Sequence, residues 1–330
     1  MTQTQLRVDG VFEGGGVKGI GLVGAISVIE AAGYEFVNLA GTSAGAIVAT
    51  LLAAGYHADE LKQTINGIDF STFEDPDLIG RIPYLGALVD EIFNKGLYKG
   101  DVFLNLMREL LDKKGIHTFR DLIQPEFANE DRYRFKVRVV ASDISRRRML
   151  VLPQDILDYD MAPEDLEVAL AVRMSMSIPF FFEPVKLKNS YIVDGGLLSN
   201  FPVELFDSDG PPEWPTFGFK LVLAPQANLS QMVEYPINGP ISELAAVFFT
   251  AMEAHAAYYL SNDKFVRTIA IDTLDVGGTD FNLTPDKKEA LYKSGVQAAN
   301  TFLAHWDFQK YIAQYRSGQP VSTRREQVLS

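Results

Sequence analysis

The 330-residue sequence contains no cysteine, which excludes disulfides, thiol nucleophiles and cysteine-ligated metals together. Histidine is scarce: His57, His117, His255 and His305 are the four present, so a mechanism built on an imidazole base has few candidates. Positive charge is in deficit, with 30 Lys and Arg against 43 Asp and Glu. The net charge of -13 gives no overall attraction to nucleic acid or to an anionic membrane, although it leaves room for local basic patches. Calcium-loop and zinc-ligand spacings are missing as well. The first residues, MTQTQLRVDG, lack the basic-then-apolar pattern of a secretory signal, so a cytoplasmic protein is expected. The longest uncharged stretch, Phe36 to Ala58, is interrupted by Gly41-Thr42-Ser43-Ala44-Gly45. Each half is too short to cross a bilayer, and a buried strand followed by a buried helix is expected instead of a transmembrane helix.

What is present is a chain of 47% hydrophobic residues, long enough for a large core. LRVDGVFEGG reads as a strand running into a turn, and VKGIGLVGAISVIEAAG as a helix closed by Gly33. YEFVNLAG and AGAIVATLLAAG repeat the pair, the second helix apolar nearly all round and so buried. Further strands are expected in RFKVRVVASDI, YIVDGG and GFKLVLAPQ. Further helices are expected in DVFLNLMRELLDKKG, PEDLEVALAVRMSMS, ISELAAVFFTAMEAHAAYYLSN and PDKKEALYKSGVQAANTFLAHW. Strands interleaved with helices predict an α/β fold, a largely parallel sheet covered on both faces. Residues 75–100 and 206–218 read as loop-rich, and no linker forces a domain boundary.

Glu13-Gly14-Gly15-Gly16-Val17-Lys18-Gly19 fits a dinucleotide-binding G-x-G-x-x-G. Such a site also needs an acid at the end of the second strand. That strand ends in Leu39-Ala40-Gly41-Thr42, with Glu35 at the opposite end. A phosphate-binding lysine-serine or lysine-threonine pair is missing too. The remaining chemical use of the loop is to aim backbone N–H groups at a developing negative charge, as an oxyanion hole; the bland one is a tight strand-helix turn. Gly41-Thr42-Ser43-Ala44-Gly45 matches a nucleophile elbow, and Ser43 stands between a predicted strand and a predicted helix as that motif requires. A serine capping a buried helix is the plain alternative.

The proton acceptor for Ser43 is the open question. The order Ser43, Asp194, then His255 or His305 satisfies an α/β-hydrolase triad, but only two strands precede Ser43 and both histidines fall inside predicted helices. A carboxylate is the other choice. Asp194, in Tyr191-Ile192-Val193-Asp194-Gly195-Gly196, ends an apolar strand, where parallel sheets put their sites. An Asp-Gly turn is its structural reading.

Taken in order, GGGVKG, GTSAG and DGG resemble the patatin-like phospholipases, over roughly residues 8–207. The likeness extends to MSMSIPFFFEPV before the aspartate strand and, more loosely, to FNLTPDKKEALYKSGVQAANTFL. The resemblance implies a three-layer α/β/α fold with a mainly parallel central sheet: a catalytic core at 8–207, its continuation at 208–316 and a frayed tail at 317–330. It implies a Ser43–Asp194 dyad without histidine, metal or cofactor, with the amides of Gly14, Gly15 and Gly16 stabilising the oxyanion. Lys18, Gly19, Gly41, Gly45, Gly195 and Gly196 would support the motifs. The implied substrate is a phospholipid or other acyl lipid, met at a membrane surface and cleaved to a free fatty acid.

Phe180-Phe181-Phe182 offers an acyl-pocket lining or plain core, and Arg146-Arg147-Arg148 a headgroup contact or a solvated run. Some members of the group are switched on by a cyclic nucleotide or a protein partner in bacterial antiviral signalling, so a nucleotide-responsive effector stands as an alternative. A non-catalytic assembly module is a further one. A carboxylate of ordinary pKa, about 3.9, is a weak base for a serine, so the dyad demands a short contact or an environment that raises it.

Overall fold

The computed structural model describes residues 6–67, 100–130, 132–179, 181–208, 210–223, 237, 239, 243–244, 246–252, 262–274, 276–278 and 283–317. Along β1 (Leu6–Phe12) successive side chains alternate between faces: Val8 and Phe12 enter the main core, while Val11 enters a second cluster on the other side. The chain then passes a 3-10 turn at Gly16–Gly19 into α1 (Ile20–Ala31) and returns as β2 (Tyr34–Thr42), parallel to β1. The helix after β2, α2 (Ala44–Ala53), is buried over nearly its whole surface, as its uncharged sequence requires. Next come α3 (Ala58–Gly67) and α4 (Asp101–Asp112). β3 (Val137–Asp143) is buried throughout and lies parallel to β2.

From β3 the chain turns into β4 (Arg148–Leu152), antiparallel to it, and later forms α5 (Val168–Ser175). A hairpin of β5 (Val185–Leu187) and β6 (Ser190–Asp194) follows, with β6 antiparallel to β3. β7 (Thr216–Val222) pairs parallel with β1, and β8 (Thr268–Asp272) pairs parallel with β7. These two strands, beyond residue 207, extend the same sheet. The long α6 (Pro285–His305) starts where Thr284 Oγ1 accepts from the Lys287 amide and Pro285 takes the first helical position, the expected start signals.

The sheet order is β5-β6-β3-β2-β1-β7-β8, with β4 also on β3. One face carries the main core, in which Leu22 and Ile26 of α1, Leu51 of α2 and Leu291 of α6 pack with Phe12 and Leu39. On the opposite face Val11 and Ala40 lie beneath Val203 and Phe206, and Val37 lies against Phe127 and Trp214, all on 3-10 segments and loops. The fold is therefore α/β, a mostly parallel sheet between two layers.

β4, β5 and β8 were not expected from the sequence, and the helix expected from Pro163 begins only at Val168, after a 3-10 turn at 163–165. The loop expected at 206–218 gives way to β7 from Thr216. Residues 246–252 are helical as expected; much of that predicted helix, nearly all of the 75–100 loop and the tail from 318 lie outside the described residues. Among the described residues no helix is long and apolar enough to cross a membrane.

Candidate active site

Both edges of β3 are in use. β4 occupies one of them across Val139–Asp143. β2 and β6 therefore share the other: Thr42 stands opposite Val140, and Asp194 opposite the next residue, Ala141. β2 rises along this edge and stops; β6 descends along it and stops. The two strand ends meet, and they deliver Ser43 and Asp194 to the same level. This corrects one expectation, since Asp194 ends a strand that runs antiparallel to its neighbour rather than a parallel one.

Ser43 bridges β2 and α2 with φ 54° and ψ -125°, a left-handed backbone that an L-residue adopts at a cost of about 1–3 kcal/mol. Packing holds it there. A Cβ on Gly45 would sit 2.2 Å from the Phe12 carbonyl oxygen, and one on Gly41 would sit 2.2 Å from that of Gly45, so the elbow closes only with glycine at both places. The Ser43 amide donates to Ser175 Oγ at 2.8 Å, and Ser175 Oγ donates to the Val140 carbonyl at 2.6 Å, which ties the elbow to α5 and β3.

Asp194 is fully buried. Its amide donates to the Ser177 carbonyl at 2.8 Å, and its Oδ1 accepts from the Gly196 amide at 2.7 Å as the 3-10 turn Gly195–Leu197 begins. Its Oδ2 has no hydrogen-bond partner among the described residues. Burial pushes the carboxyl up from 3.8 to about 7, against the opposing pull of the Ser43 hydroxyl and the Gly196 amide. The hydroxyl itself is directed at Met176 Sδ, 3.8 Å away. The Ser43 hydroxyl thus lies within reach of both the Met176 thioether and the Asp194 carboxyl, whose pKa it draws down.

The glycine loop packs on the same ground. The Gly14 amide donates to the Asn200 carbonyl at 3.1 Å, and Asn200 Nδ2 donates back to the Gly14 carbonyl at 3.1 Å. Gly14, expected among the oxyanion donors, gives its N–H to the Asn200 carbonyl. Gly16 has φ +58°, and a Cβ there would lie 1.9 Å from the Gly278 carbonyl oxygen. Beneath the loop Glu13 is buried, its Oε1 2.7 Å from Lys220 Nζ and its Oε2 accepting from the Leu221 amide at 2.6 Å, an ion pair that fastens the loop to β7. Lys18 is half-buried on the 3-10 turn with its amide on the Gly15 carbonyl at 3.3 Å, and Gly19 lies against Ala44.

Sequence reasoning missed Asn200, Ser175, the Glu13–Lys220 pair and the two methionines. Asn200 is buried, and its Oδ1 has no hydrogen-bond partner among the described residues. That oxygen faces the space over Gly14 and Gly196, where added Cβ atoms would lie 2.3 Å and 3.0 Å from it. Met252 Sδ comes within 2.5 Å of a Cβ built on Gly196, so thioethers flank the site from two sides. The partners of Ser175, Asn200 and Glu13 lie far away in sequence, so no local pattern marks them.

The three described histidines hold partners of their own. His57 pairs with Glu30 at 3.1 Å and His117 with Asp112 at 3.0 Å, both at the surface, and exposed His305 sets Nδ1 2.9 Å from the Thr301 carbonyl of its own helix. His255 lies outside the described residues. Phe182 is core and Phe181 packs edge-on against it at 4.9 Å, while Phe180 is outside the described residues. Among the described residues no group of three or more His, Asp and Glu is placed to hold a metal.

A family model described as patatin-like phospholipase matches residues 10–207. The Bacillus subtilis protein YqhO is 38% identical over 307 residues, covering 92% of this chain and all of its own. A probable lipid hydrolase, 463L, of Invertebrate iridescent virus 6 is 25% identical over 195 residues, 59% of this chain and 61% of the viral one. Among solved structures, VipD from Legionella pneumophila shares the fold with a TM-score of 0.54 at 19% identity, over 90% of this chain and 66% of VipD.

Proposed function

The chain belongs to the patatin-like phospholipase family, a family of lipid hydrolases, and on that premise we propose that it cleaves fatty-acyl ester bonds through a Ser43–Asp194 dyad. The observation that carries the reading is the fully buried carboxylate, raised to about 7, with its unpartnered oxygen next to a hydroxyl on a strained turn. Burial resolves the weakness of an ordinary aspartate as a base, because a pKa near the working pH gives both the right protonation state and a driving force.

Ser43 Oγ leaves Met176 Sδ for Asp194 Oδ2, gives up its proton and bonds to the acyl carbon, while the carbonyl electron pair moves to oxygen. The amides of Gly15 and Gly16 hold that oxyanion; one such donor is typically worth about 2.7–4 kcal/mol. Collapse expels the alcohol portion, a lysolipid when the substrate is a diacyl phospholipid, and the leaving oxygen takes the proton from Asp194. Asp194 then deprotonates water, which attacks the acyl-enzyme, frees the fatty acid and restores Ser43. Met176 and Met252 give the acyl chain a soft apolar wall. The reaction is that of a carboxylic ester hydrolase of phospholipase A type, carried by one catalytic unit from the 8–207 core through its continuation to 316.

Purified wild type, Ser43→Ala and Asp194→Asn are compared on a short-chain p-nitrophenyl ester and on phospholipid vesicles, after circular dichroism shows that all three fold alike. Hydrolysis by wild type alone supports the dyad. A fully active Asp194→Asn enzyme would sink it.

A further inference from the structure

β3 continues past the level of Ser43. Val140 stands opposite Thr42, so the β3–β4 turn at residues 144–147 projects about four residues, or roughly 13 Å, beyond the site on the same end of the sheet. Two other segments join it there. The Ile144 amide donates to the Tyr191 carbonyl at 3.1 Å and the Tyr191 amide donates to Ser145 Oγ at 2.9 Å, binding the turn to the β5–β6 hairpin. The Arg146 guanidinium lies 4.5 Å over the Tyr159 ring and donates to the Asp158 carbonyl at 3.3 Å, binding it to the 3-10 segment Gln154–Tyr159.

This tip has an unusual surface for a chain of net charge -13. Leu157 is 61% exposed, Tyr191 48% and Ile144 44%. Set among them are Arg146, Arg147, Arg148, Lys186 and Lys188, with the Lys186 ammonium 6.0 Å from the Tyr191 ring. Among the described residues the acids that face these cations are Asp143, Asp158 and Asp160. Asp158 pairs with Arg148 and Asp160 with Lys188. Asp143 is buried and takes Tyr159 Oη and the amides of Ser145 and Arg146, with Arg146 Nε 3.8 Å away. Asp155 sits lower, on the Val151 amide, level with Val140. A local excess of positive charge therefore surrounds exposed aliphatic and aromatic side chains.

We propose that this tip is an interfacial docking surface for a bilayer carrying anionic phospholipid. Leu157, Ile144 and the Tyr191 ring enter the headgroup–acyl boundary while Arg146, Arg147 and Lys186 meet lipid phosphates, the division of labour of an interfacial anchor. Neutral apolar partners leave the cations unanswered, and soluble acidic partners leave the apolar side chains unburied; a charged lipid surface answers both. Because the tip stands at the end of the sheet where Ser43 lies, docking there brings the site to its substrate. The proposal rests on the lipid-hydrolase reading for its purpose, but its test does not depend on turnover.

The chain carrying Ser43→Ala is sedimented with phosphatidylcholine vesicles and with mixed phosphatidylglycerol–phosphatidylcholine vesicles. It is compared with the same chain carrying Arg147→Glu and Lys186→Glu, or Leu157→Ser and Tyr191→Ser. The substituted pairs are also placed on the Ser43 background and assayed on a soluble ester, which reports fold and site together. The expected result is binding to the anionic vesicles, weakened by salt and by about tenfold or more in the charge-reversed pair, with soluble-ester kcat/KM unchanged. If wild type hydrolyses the soluble ester while the Ser43→Ala chain does not bind anionic vesicles, the docking surface is overturned and the dyad stands. Binding untouched by both pairs overturns it as well. Tip-dependent retention on heparin without vesicle binding assigns the surface to an acidic macromolecule and has the same effect. Tip-dependent vesicle binding by a chain whose wild type hydrolyses no ester supports docking and counts against the dyad instead.

Discussion

Ser43 and Asp194 are neighbours because β2, which ends just before Ser43, and β6, which ends in Asp194, meet head to head on one edge of β3, opposite Val140 and Ala141. Sheet register places the carboxylate, and the φ 54° turn at Ser43 carries the chain from β2 into α2. A site held by strand ends keeps its geometry better than one on loops. His57, His117 and His305 hold partners of their own, Glu30, Asp112 and the Thr301 carbonyl.

Asp194→Asn is expected to lower kcat by about 10²–10⁴-fold, the usual worth of a positioned general base. KM for a soluble ester should stay within a few-fold, because the amide keeps the shape of the carboxylate and can still accept from the Gly196 amide. Steady-state kinetics on a p-nitrophenyl ester reads both. Replacing His57, His117 and His305 together should leave kcat unchanged.

The raised carboxyl of Asp194 makes activity pH-dependent in a definite direction. The proposed base works only when ionised, so kcat/KM should rise through about pH 7 and level off above it. Stability runs the other way. The folded chain holds a proton on Asp194 that the unfolded chain, with the group at 3.8, releases. Its contribution is complete below about pH 4 and is lost as pH rises through about 7. Asp9, pushed up to about 7 by burial against the opposing bonds from Asn38 and Trp214, behaves alike on the other face of the sheet. Urea melts at pH 4 and pH 8 should show Asp194→Asn and Asp9→Asn each gaining stability over wild type only at the higher pH. Asp9→Asn should leave the pH–rate profile where it was.

The opening β-α-β-α units, the elbow at Ser43 and the strand end at Asp194 were legible because each is local: apolar alternation, a closing glycine, a serine between small residues. Direction was not. Y-I-V-D-G-G reads as a strand end either way, and only pairing with Ser142 and Asp143 shows that β6 descends. β4 stayed hidden because Arg146-Arg147-Arg148 masks the start of R-M-L-V-L, and β8 because its five residues carry a short, ambiguous pattern. Ser175 and Asn200 act on partners far away in sequence, Ser43 and Gly14, and no local pattern announces such contacts.

Asn200 clamps Gly14 from both sides and so sets the loop that carries the Gly15 and Gly16 amides. Asn200→Ala removes the side-chain half of the clamp and is expected to lower kcat by about 10²-fold, the loss typical of one misplaced oxyanion donor, with little change in KM. Asn200→Asp adds a like charge near Asp194 and should move the pH–rate midpoint upward. A purely structural role would leave that midpoint alone, so the profile decides between the two.

Glu13 and Lys220 form the buried pair under the glycine loop, 2.7 Å apart, with the Leu221 amide on the second carboxylate oxygen. Removing one partner strands the other charge in the core, a change that typically costs about 3–5 kcal/mol. Lys220→Met is therefore expected to destabilise strongly, and Glu13→Gln less, because the amide oxygen can keep one of the two bonds. Replacing both together removes the charge imbalance and should recover much of the loss, since a buried ion pair is often close to neutral against an uncharged substitute of similar volume. The double variant then separates fold from function. If the pair only stabilises the chain, kcat returns with stability; if it also holds the Gly15 and Gly16 amides in line, the melt recovers while kcat stays low. Urea melts and p-nitrophenyl ester kinetics on the two single variants and the double one complete the cycle.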